Sequence, residues 1–294
     1  MDRPAGEAGG PVGEAGWPVG MIAGVCLFLS FFLFSVSWAK DIIVPTDRST
    51  IQGAVDSAAP GDAVVIEDGR YAENVVITKA ITVRGRSGYA GVIIEAKNAE
   101  LPVVKVHGVT GAVVTGVTAK GSNAYGIHFY RSSGCTLSNN RAAANSTGIY
   151  LEYSNNNTVS GNVAEGNANE GISLFSSNNN LLSGNNANAN SEKGITLLSS
   201  SGNTLTGNTA DSNYWNGITL WSSNGNTIRN NTALNNTYAM VVSYSEDNDI
   251  TDNNMMRRIY YLLPVALVYF AIIVYFIEKR LFIIFFSAPS VEAS

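Results

Sequence analysis

Cysteine and histidine are almost missing from this chain of 294 residues. Only Cys26 and Cys135 occur, and the first lies in an apolar terminal segment. A disulfide framework and a cysteine-spaced zinc site are therefore excluded from the middle of the chain. The two histidines, His107 and His128, belong to no Met/Cys/His cluster, and Met255 and Met256 border an apolar run. Basic clusters are missing as well. With a net charge of −5, this argues against nucleic acid as a partner.

Charge itself is missing from two stretches. Between Gly16 and Ala39 there is none, and Met21 to Val36 is dense in Phe, Leu, Ile and Val. Ser37-Trp38-Ala39 then provides small residues where a signal peptidase would need them. The preceding tail is acidic (Asp2, Glu7 and Glu14 against Arg3), whereas a signal peptide begins basic. Three readings stay open: a cleaved signal, an uncleaved signal anchor, or translation that starts at Met21 instead of Met1. The second stretch, Ile259 to Ile277, has 19 uncharged residues between Arg257-Arg258 and Glu278-Lys279-Arg280. As a helix it would span roughly 28 Å, close to the ~30 Å hydrocarbon core. Tyr260, Tyr261, Tyr269 and Tyr275 supply candidates for interfacial aromatic belts. The basic pairs on both flanks leave orientation to the export signal, which puts the rest of the chain outside the cytoplasm. Sequons at Asn145, Asn156, Asn230 and Asn235 agree weakly with export.

A helical period is missing from most of what lies between. What is there is a pair of apolar residues that returns every 22 or 23 positions. Its first member runs Ile81, Val104, Ile127, Ile149, Ile172, Ile195, Ile218 and Met240, with Val83, Val106, Phe129, Leu151, Leu174, Leu197, Leu220 and Val242 two residues on. A second column runs Val114, Leu137, Val159, Leu182, Leu205, Ile228 and Ile250. Within each unit apolar and polar positions alternate with period two, so these are strands. Short strands at such a spacing, with Gly, Asn and Ser between them, describe a parallel β-solenoid with three strands per coil. Eight coils at about 4.8 Å give a rod of roughly 40 Å.

Three asparagine columns accompany the apolar ones: Asn140, Asn162, Asn185, Asn208, Asn231 and Asn253; Asn157, Asn180, Asn203, Asn226 and Asn248; and Asn145, Asn167, Asn190, Asn213 and Asn236. Repetition in every coil marks them as structural. Asparagine suits left-handed corners, and stacked amides can bond along the axis. Ahead of the coils, Asp41 to Pro60 has a helical pattern. A capping box at Ser49 and Gln52 precedes Ile51 and Val55 on one face, and Pro60-Gly61-Asp62 ends the element. Such a helix would plug the open end of the solenoid.

The units Gly171-Ile172-Ser173-Leu174 and Gly202-Asn203-Thr204-Leu205-Thr206-Gly207-Asn208 resemble the repeat of the NosD-like group of right-handed parallel β-helix families. That group shares the carbohydrate-binding and sugar-hydrolase type of β-helix domain. Ser49-Thr50-Ile51-Gln52, Gly61-Asp62 and Gly69-Arg70-Tyr71 are similar to its N-terminal cap, and the resemblance covers residues 41 to 254. It implies right-handed coiling, as does the general chirality of parallel connections. It is poor in implications for activity, because the group includes copper-delivery accessory proteins, polysaccharide enzymes and surface proteins. The expected organisation is a tail with signal peptide or anchor (1–39), a cap (40–62), β-helix repeats (63–254), a transmembrane anchor (255–280) and a tail (281–294).

Outward positions on the strand that carries the apolar pair form two columns. One reads Thr82, Lys105, His128, Tyr150, Ser173, Thr196, Thr219, Val241 and the other Arg84, His107, Tyr130, Glu152, Phe175, Leu198, Trp221, Ser243. Aromatic faces stack on sugar rings, so Tyr130, Tyr150, Phe175 and Trp221 are the ligand-binding candidates. Exposed aromatic rows are unusual on a soluble surface, although aromatics also suit exposed strands. If the face is catalytic, the candidates are Lys105, His128, Arg131 and Glu152, as a lyase base or a hydrolytic carboxylate. Glu152 lacks an acidic partner in either column, with Glu170 and Asp211 placed on nearby turns. The even coil length leaves no room for loops that would wall a cleft. His107 and His128 are weak metal candidates, with Glu152 as a third donor.

The reading that follows is a membrane-anchored, extracytoplasmic β-helix, single-pass or two-pass, that needs no cofactor. It serves as a non-catalytic binding or structural module with a polysaccharide or surface glycan as the favoured partner. A polysaccharide lyase or hydrolase is the alternative, and a NosD-like copper-binding accessory protein the second.

Overall fold

Period-two alternation produces three flat faces per turn in a computed structural model that describes residues 39–257. Those residues form a parallel β-solenoid of about nine turns. A ten-stranded sheet begins at Asp41–Val44 and ends at Asp249–Thr251. An eight-stranded sheet runs from Val75–Ile77 to Tyr238–Ser243, and its central strands, such as Tyr125–Tyr130, are six residues long. A five-stranded sheet from Gly69–Ala72 to Val163–Glu165 fills the third side, continued by single bridges through Asn186 and Thr209 to Thr232. The expected apolar ladders are the core: Ile127, Ile149, Ile172, Ile195 and Ile218 stack beside Phe129, Leu151, Leu174, Leu197 and Leu220, all fully buried. Each contributes about 1.5–3 kcal/mol of burial. The apolar segments 21–36 and 259–277 lie outside the described residues. Among the described residues no helix is long and apolar enough to cross a membrane.

The first coils differ from the expected register. Ile81 and Val83 do not precede Val104 and Val106. Val83 pairs with Val114, while Val104 and Val106 pair with Val75 and Ile77. Thr82 and Arg84 therefore lie on the ten-stranded sheet, away from Lys105 and His107. The coil after Gly85 is longer, because it carries extra loops around the strand Val92–Glu95. Counting back one regular unit from Val104 thus lands on the wrong sheet.

The cap also differs. Asp41–Val44 is a strand paired with Ala63–Ile66, and the helix, α1, is confined to Ile51–Ser57. Its N-cap is Thr50 rather than Ser49, and the Thr50 side chain accepts from the Gly53 N–H. Gln52 closes no capping box. Its amide reaches the edge strand instead, where Oε1 accepts from Val76 N at 2.7 Å and Nε2 donates to Val76 O at 3.2 Å. Glu73 accepts from the N–H groups of Ile51 and Gln52, both at 2.9 Å. Lys79 Nζ donates to the carbonyls of Val55, Asp56 and Ala58 at the other end. The helix therefore covers the first coil and also pairs its open edge. At the opposite end of the described residues Val242 and Ile250, both core positions, are exposed.

The asparagine columns point inward. Asn162 Oδ1 accepts from both the backbone N–H and the Nδ2 of Asn140, at 3.0 and 3.1 Å, while Asn162 Nδ2 donates to Leu137 O at 2.9 Å. The unit repeats from Asn140 to Asn253, and two parallel ladders repeat the same contacts. The left-handed angles belong to the residue before each ladder position, among them Asn139, Ala144, Asn156 and Asn179. A fourth ladder, of serines, was not apparent from the sequence. Ser132, Ser154, Ser177, Ser200 and Ser223 each donate their N–H to the hydroxyl of the next. The glycine in second position of the long strands from Tyr125–Tyr130 to Asn216–Trp221 has a steric cause. A Cβ on Gly148 would come within 2.7 Å of Asn167 Nδ2 and of Gly171 O. Burial also removes Asn145 from the accessible sequons, since it is 3% exposed.

Replacing one ladder residue should cost far more than its small size suggests. Asn185→Ala leaves the N–H of Asn162 without its acceptor and Val159 O without its side-chain donor. At ~1–3 kcal/mol for each stranded buried group, the expected loss is about 2–4 kcal/mol. Denaturation midpoints compared with exposed Asn123→Ala measure it, and equal midpoints would refute the ladder's role.

Candidate functional site

The outward face of the eight-stranded sheet carries every residue singled out as a ligand or catalytic candidate. Pairing places Lys105, His128, Tyr150, Ser173, Thr196, Thr219 and Val241 in one column, and His107, Tyr130, Glu152, Phe175, Leu198, Trp221 and Ser243 in the next. Arg131 follows Tyr130 in a left-handed turn residue, φ 50°. A third column, Tyr125, Thr147, Glu170, Lys193, Asn216 and Tyr238, lies on the other side. Sequence reading missed it, because these strands extend past the glycine that interrupts their apolar–polar alternation. Glu170 stands in this column, in a strand and not on a turn. Asp211 lies elsewhere, accepting from the N–H of Leu234 and donating its own to Asn188.

The three columns differ in height, and the difference makes a groove. Ser173, Thr196 and Thr219 are small and nearly buried, and form the floor. Phe175, Leu198 and Trp221 rise on one side and Tyr125, Glu170, Lys193 and Trp215 on the other, while Tyr150 stands at the upstream end of the floor column. The space between holds about 550 Å³. A groove is thus built without the long loops expected of a walled cleft. Its polar groups are fixed in advance: Glu170 Oε1 accepts from Lys193 Nζ and from Thr196 Oγ1, each at 3.0 Å, and Asn216 Nδ2 donates to Thr219 Oγ1 at 3.0 Å.

At the upstream end of the groove an aromatic cluster encloses His128. Tyr125 and Tyr150 stack at 4.4 Å, and the His128 ring lies 4.7 and 5.3 Å from them. Burial, with the nearby positive charge of Lys105 and His107, pushes the imidazole down to about 3. A neutral ring donates Nε2–H to Glu152 Oε2 at 3.1 Å, while Nδ1 is buried without a protein partner. Burial also holds the Tyr125 and Tyr150 phenols above their ordinary range, reinforced by Glu152 and Glu170. The two histidines share a face but not a site. His107 is exposed and packs edge-on against Tyr130 at 5.3 Å. Among the described residues no group of three or more His, Cys, Asp or Glu side chains is placed to hold a metal ion.

Comparison with known proteins adds three findings. A family model described as "Periplasmic copper-binding protein (NosD)" matches residues 55–260. No curated protein matches the chain. Among solved structures, the catalytic domain of a GH87 alpha-1,3-glucanase in complex with nigerose is similar at TM-score 0.60 and 15% identity, over 70% of this chain and 45% of that one. Dettilon tailspike protein is similar at TM-score 0.57 and 16% identity, over 72% and 54%. A mutant of the periplasmic alginate epimerase AlgG is similar at TM-score 0.50 and 20% identity, over 63% and 56%. The chain spans about half the length of these structures, and at such identities the likeness shows the fold.

The His128 shift has a signed consequence. An imidazole held at about 3 when folded, against ~6.5 when unfolded, contributes stability that is complete above the unfolded value. That contribution is lost as pH falls toward the folded value, because only the unfolded chain takes up the proton. The wild type should therefore lose stability relative to His128→Gln as pH drops through this window. Parallel melting curves for the two proteins across it would refute the assignment.

Proposed function

The chain belongs to the NosD family, and on that premise we propose that its repeats form a non-catalytic glycan-binding module outside the cytoplasm. The observation that carries this reading is the groove on the eight-stranded sheet. Apolar and aromatic walls (Phe175, Leu198, Trp221 and Trp215) offer faces for sugar rings, and the hydroxyl floor and fixed Glu170–Lys193 and Asn216 groups offer hydrogen bonds to sugar hydroxyls. Tyr130 and Tyr150 extend the aromatic track upstream. Structural relatives whose names specify glucanase or alginate epimerase activity support a polysaccharide as the ligand class.

The family's description names copper, but the residues present do not fit it. The enclosed His128 commits Nε2 to Glu152, His107 stands apart against Tyr130, and among the described residues no cysteine joins them. A second reading, cleavage of the bound glycan, has one specific observation in its favour. Glu152, hydrogen-bonded to His128, and Glu170 flank the same tyrosine stack, so two carboxylates border one end of the groove. General acid–base hydrolysis uses such a pair. Both carboxylates are already engaged, Glu152 by the histidine and Glu170 by Lys193 and Thr196, which favours binding over turnover. The apolar segments 21–36 and 259–277 supply the proposed export signal or anchor and the membrane anchor.

Two experiments test this reading. The detergent-solubilised chain is mixed with neutral and acidic polysaccharides and analysed by size-exclusion chromatography. Co-elution with polymers of unchanged length is expected, and Trp221→Ala should weaken it about tenfold or more, as loss of a buried aromatic contact does. Shortened polymers would overturn the non-catalytic assignment and turn attention to Lys105, His128, Arg131 and Glu152. Protease added to intact cells should remove the repeats, and full protection from it would overturn the extracytoplasmic placement.

A further inference from the structure

Resting on the glycan reading of this groove, we infer that its ligand is an acidic polysaccharide, held by its carboxylates at a cationic head formed by Lys105 and Arg131. In a chain of net charge −5, ion pairs engage about half the cations of the described solenoid, as in Arg141–Glu165 and Lys193–Glu170. Lys105 and Arg131 have no carboxylate within ion-pair distance among the described residues. Both cluster on one aromatic ring, with Lys105 Nζ and Arg131 Cζ each 5.1 Å from the centroid of Tyr130. His107 packs against the same ring.

The arrangement is directional. Lys105 and His107 are successive outward residues of one strand, paired with His128 and Tyr130, so their side chains stand about 7 Å apart along the sheet. Arg131 approaches from the turn of the next coil. Glu152 lies one coil on from Tyr130, but its carboxylate accepts from His128 and forms no ion pair with Lys105 or Arg131. Two cations gathered on one ring repel each other. The ring quadrupole offsets only part of that cost, ~0.5–1 kcal/mol for each cation at an exposed site. An anion from outside completes the balance. The same positive field contributes to keeping His128 neutral. Downstream, every charge lining the groove is internally paired as Glu170 with Lys193. A polyuronate chain would place a carboxylate at Lys105 and Arg131 and lay its following rings along Phe175 and Leu198 toward Trp221.

The test compares binding of the full chain in detergent to a polygalacturonate and to a neutral β-glucan of similar length, at low and high salt. Polygalacturonate should bind at least tenfold more tightly at low salt, and the advantage should vanish at high salt, because both cations are exposed to screening. Lys105→Gln and Arg131→Gln should each remove most of that advantage while leaving neutral-glucan affinity unchanged, whereas Trp221→Ala should weaken both ligands. The two side chains are partly or fully exposed, and unchanged circular dichroism verifies that the variants fold. Equal, salt-independent binding of the two polymers, indifferent to either substitution, would overturn the acidic specificity and leave the glycan reading standing. Failure of both polymers to bind the wild type would overturn both.

Discussion

Every coil of this protein has to satisfy the polar groups of the one before it. Parallel strands do this along the flat faces, but at the corners the backbone turns away from the ladder, and buried N–H groups there need another acceptor. A side-chain amide meets that need. Along the ladders an asparagine accepts from the backbone and side chain of its upstream neighbour and donates to a carbonyl further back, Asn213 being the exception, since its Nδ2 has no protein partner. Serine hydroxyls do the same beside the Asn157 ladder, at the corner between the eight- and ten-stranded sheets. Because each contact reaches one coil on, over 22 or 23 residues, any insertion has to be absorbed without displacing the ladder positions. The even spacing of the repeats follows from this. So does the position of the longer coil, which precedes the ladders that begin at Ser132 and Asn140.

The same constraint shapes the functional face. With corners fixed, insertions cannot grow into walls, so relief on the surface comes from side-chain size alone. The eight-stranded sheet sets Ser173, Thr196 and Thr219 between rows of large residues, and a groove results from the contrast. Such a groove crosses successive coils from Tyr125 to Val241, a geometry that suits the proposed linear polymer. The polar groups along it are held by bonds within and between neighbouring coils, so binding would not require ordering them anew.

Much of this was legible in the sequence, and the parts that were not share physical causes. The apolar ladders and two outward columns could be read because period two survives in every unit. The third column, with Tyr125, Glu170 and Lys193, was hidden because a glycine interrupts the alternation where a Cβ would strike the neighbouring coil. The serine ladder was hidden because a serine in a turn reads as a solvated residue. Ile81 and Val83 were placed one sheet away from their true neighbours, because spacing reports the length of a coil but not which face a strand joins. Asp41–Val44 read as helix because its apolar residues were counted with those of Ile51–Ser57, from which Pro45 and the turn after it separate them.

The sequence by itself determined the repeat, the inward direction of Ile, Leu and Val, and the columns of asparagine, all local or periodic properties carried by side-chain type and spacing. Tertiary structure alone decided which of those columns face one another across the coils. Stacking lowered the pKa of a histidine by burying it beside two tyrosines, paired Glu170 with Lys193 one coil apart, and left Lys105 and Arg131 on one ring without an ion-pair partner. Most of these relations join residues more than twenty positions apart, such as Lys105 with Tyr130 and Lys193 with Glu170, and their strength depends on distance and burial, which no single repeat contains.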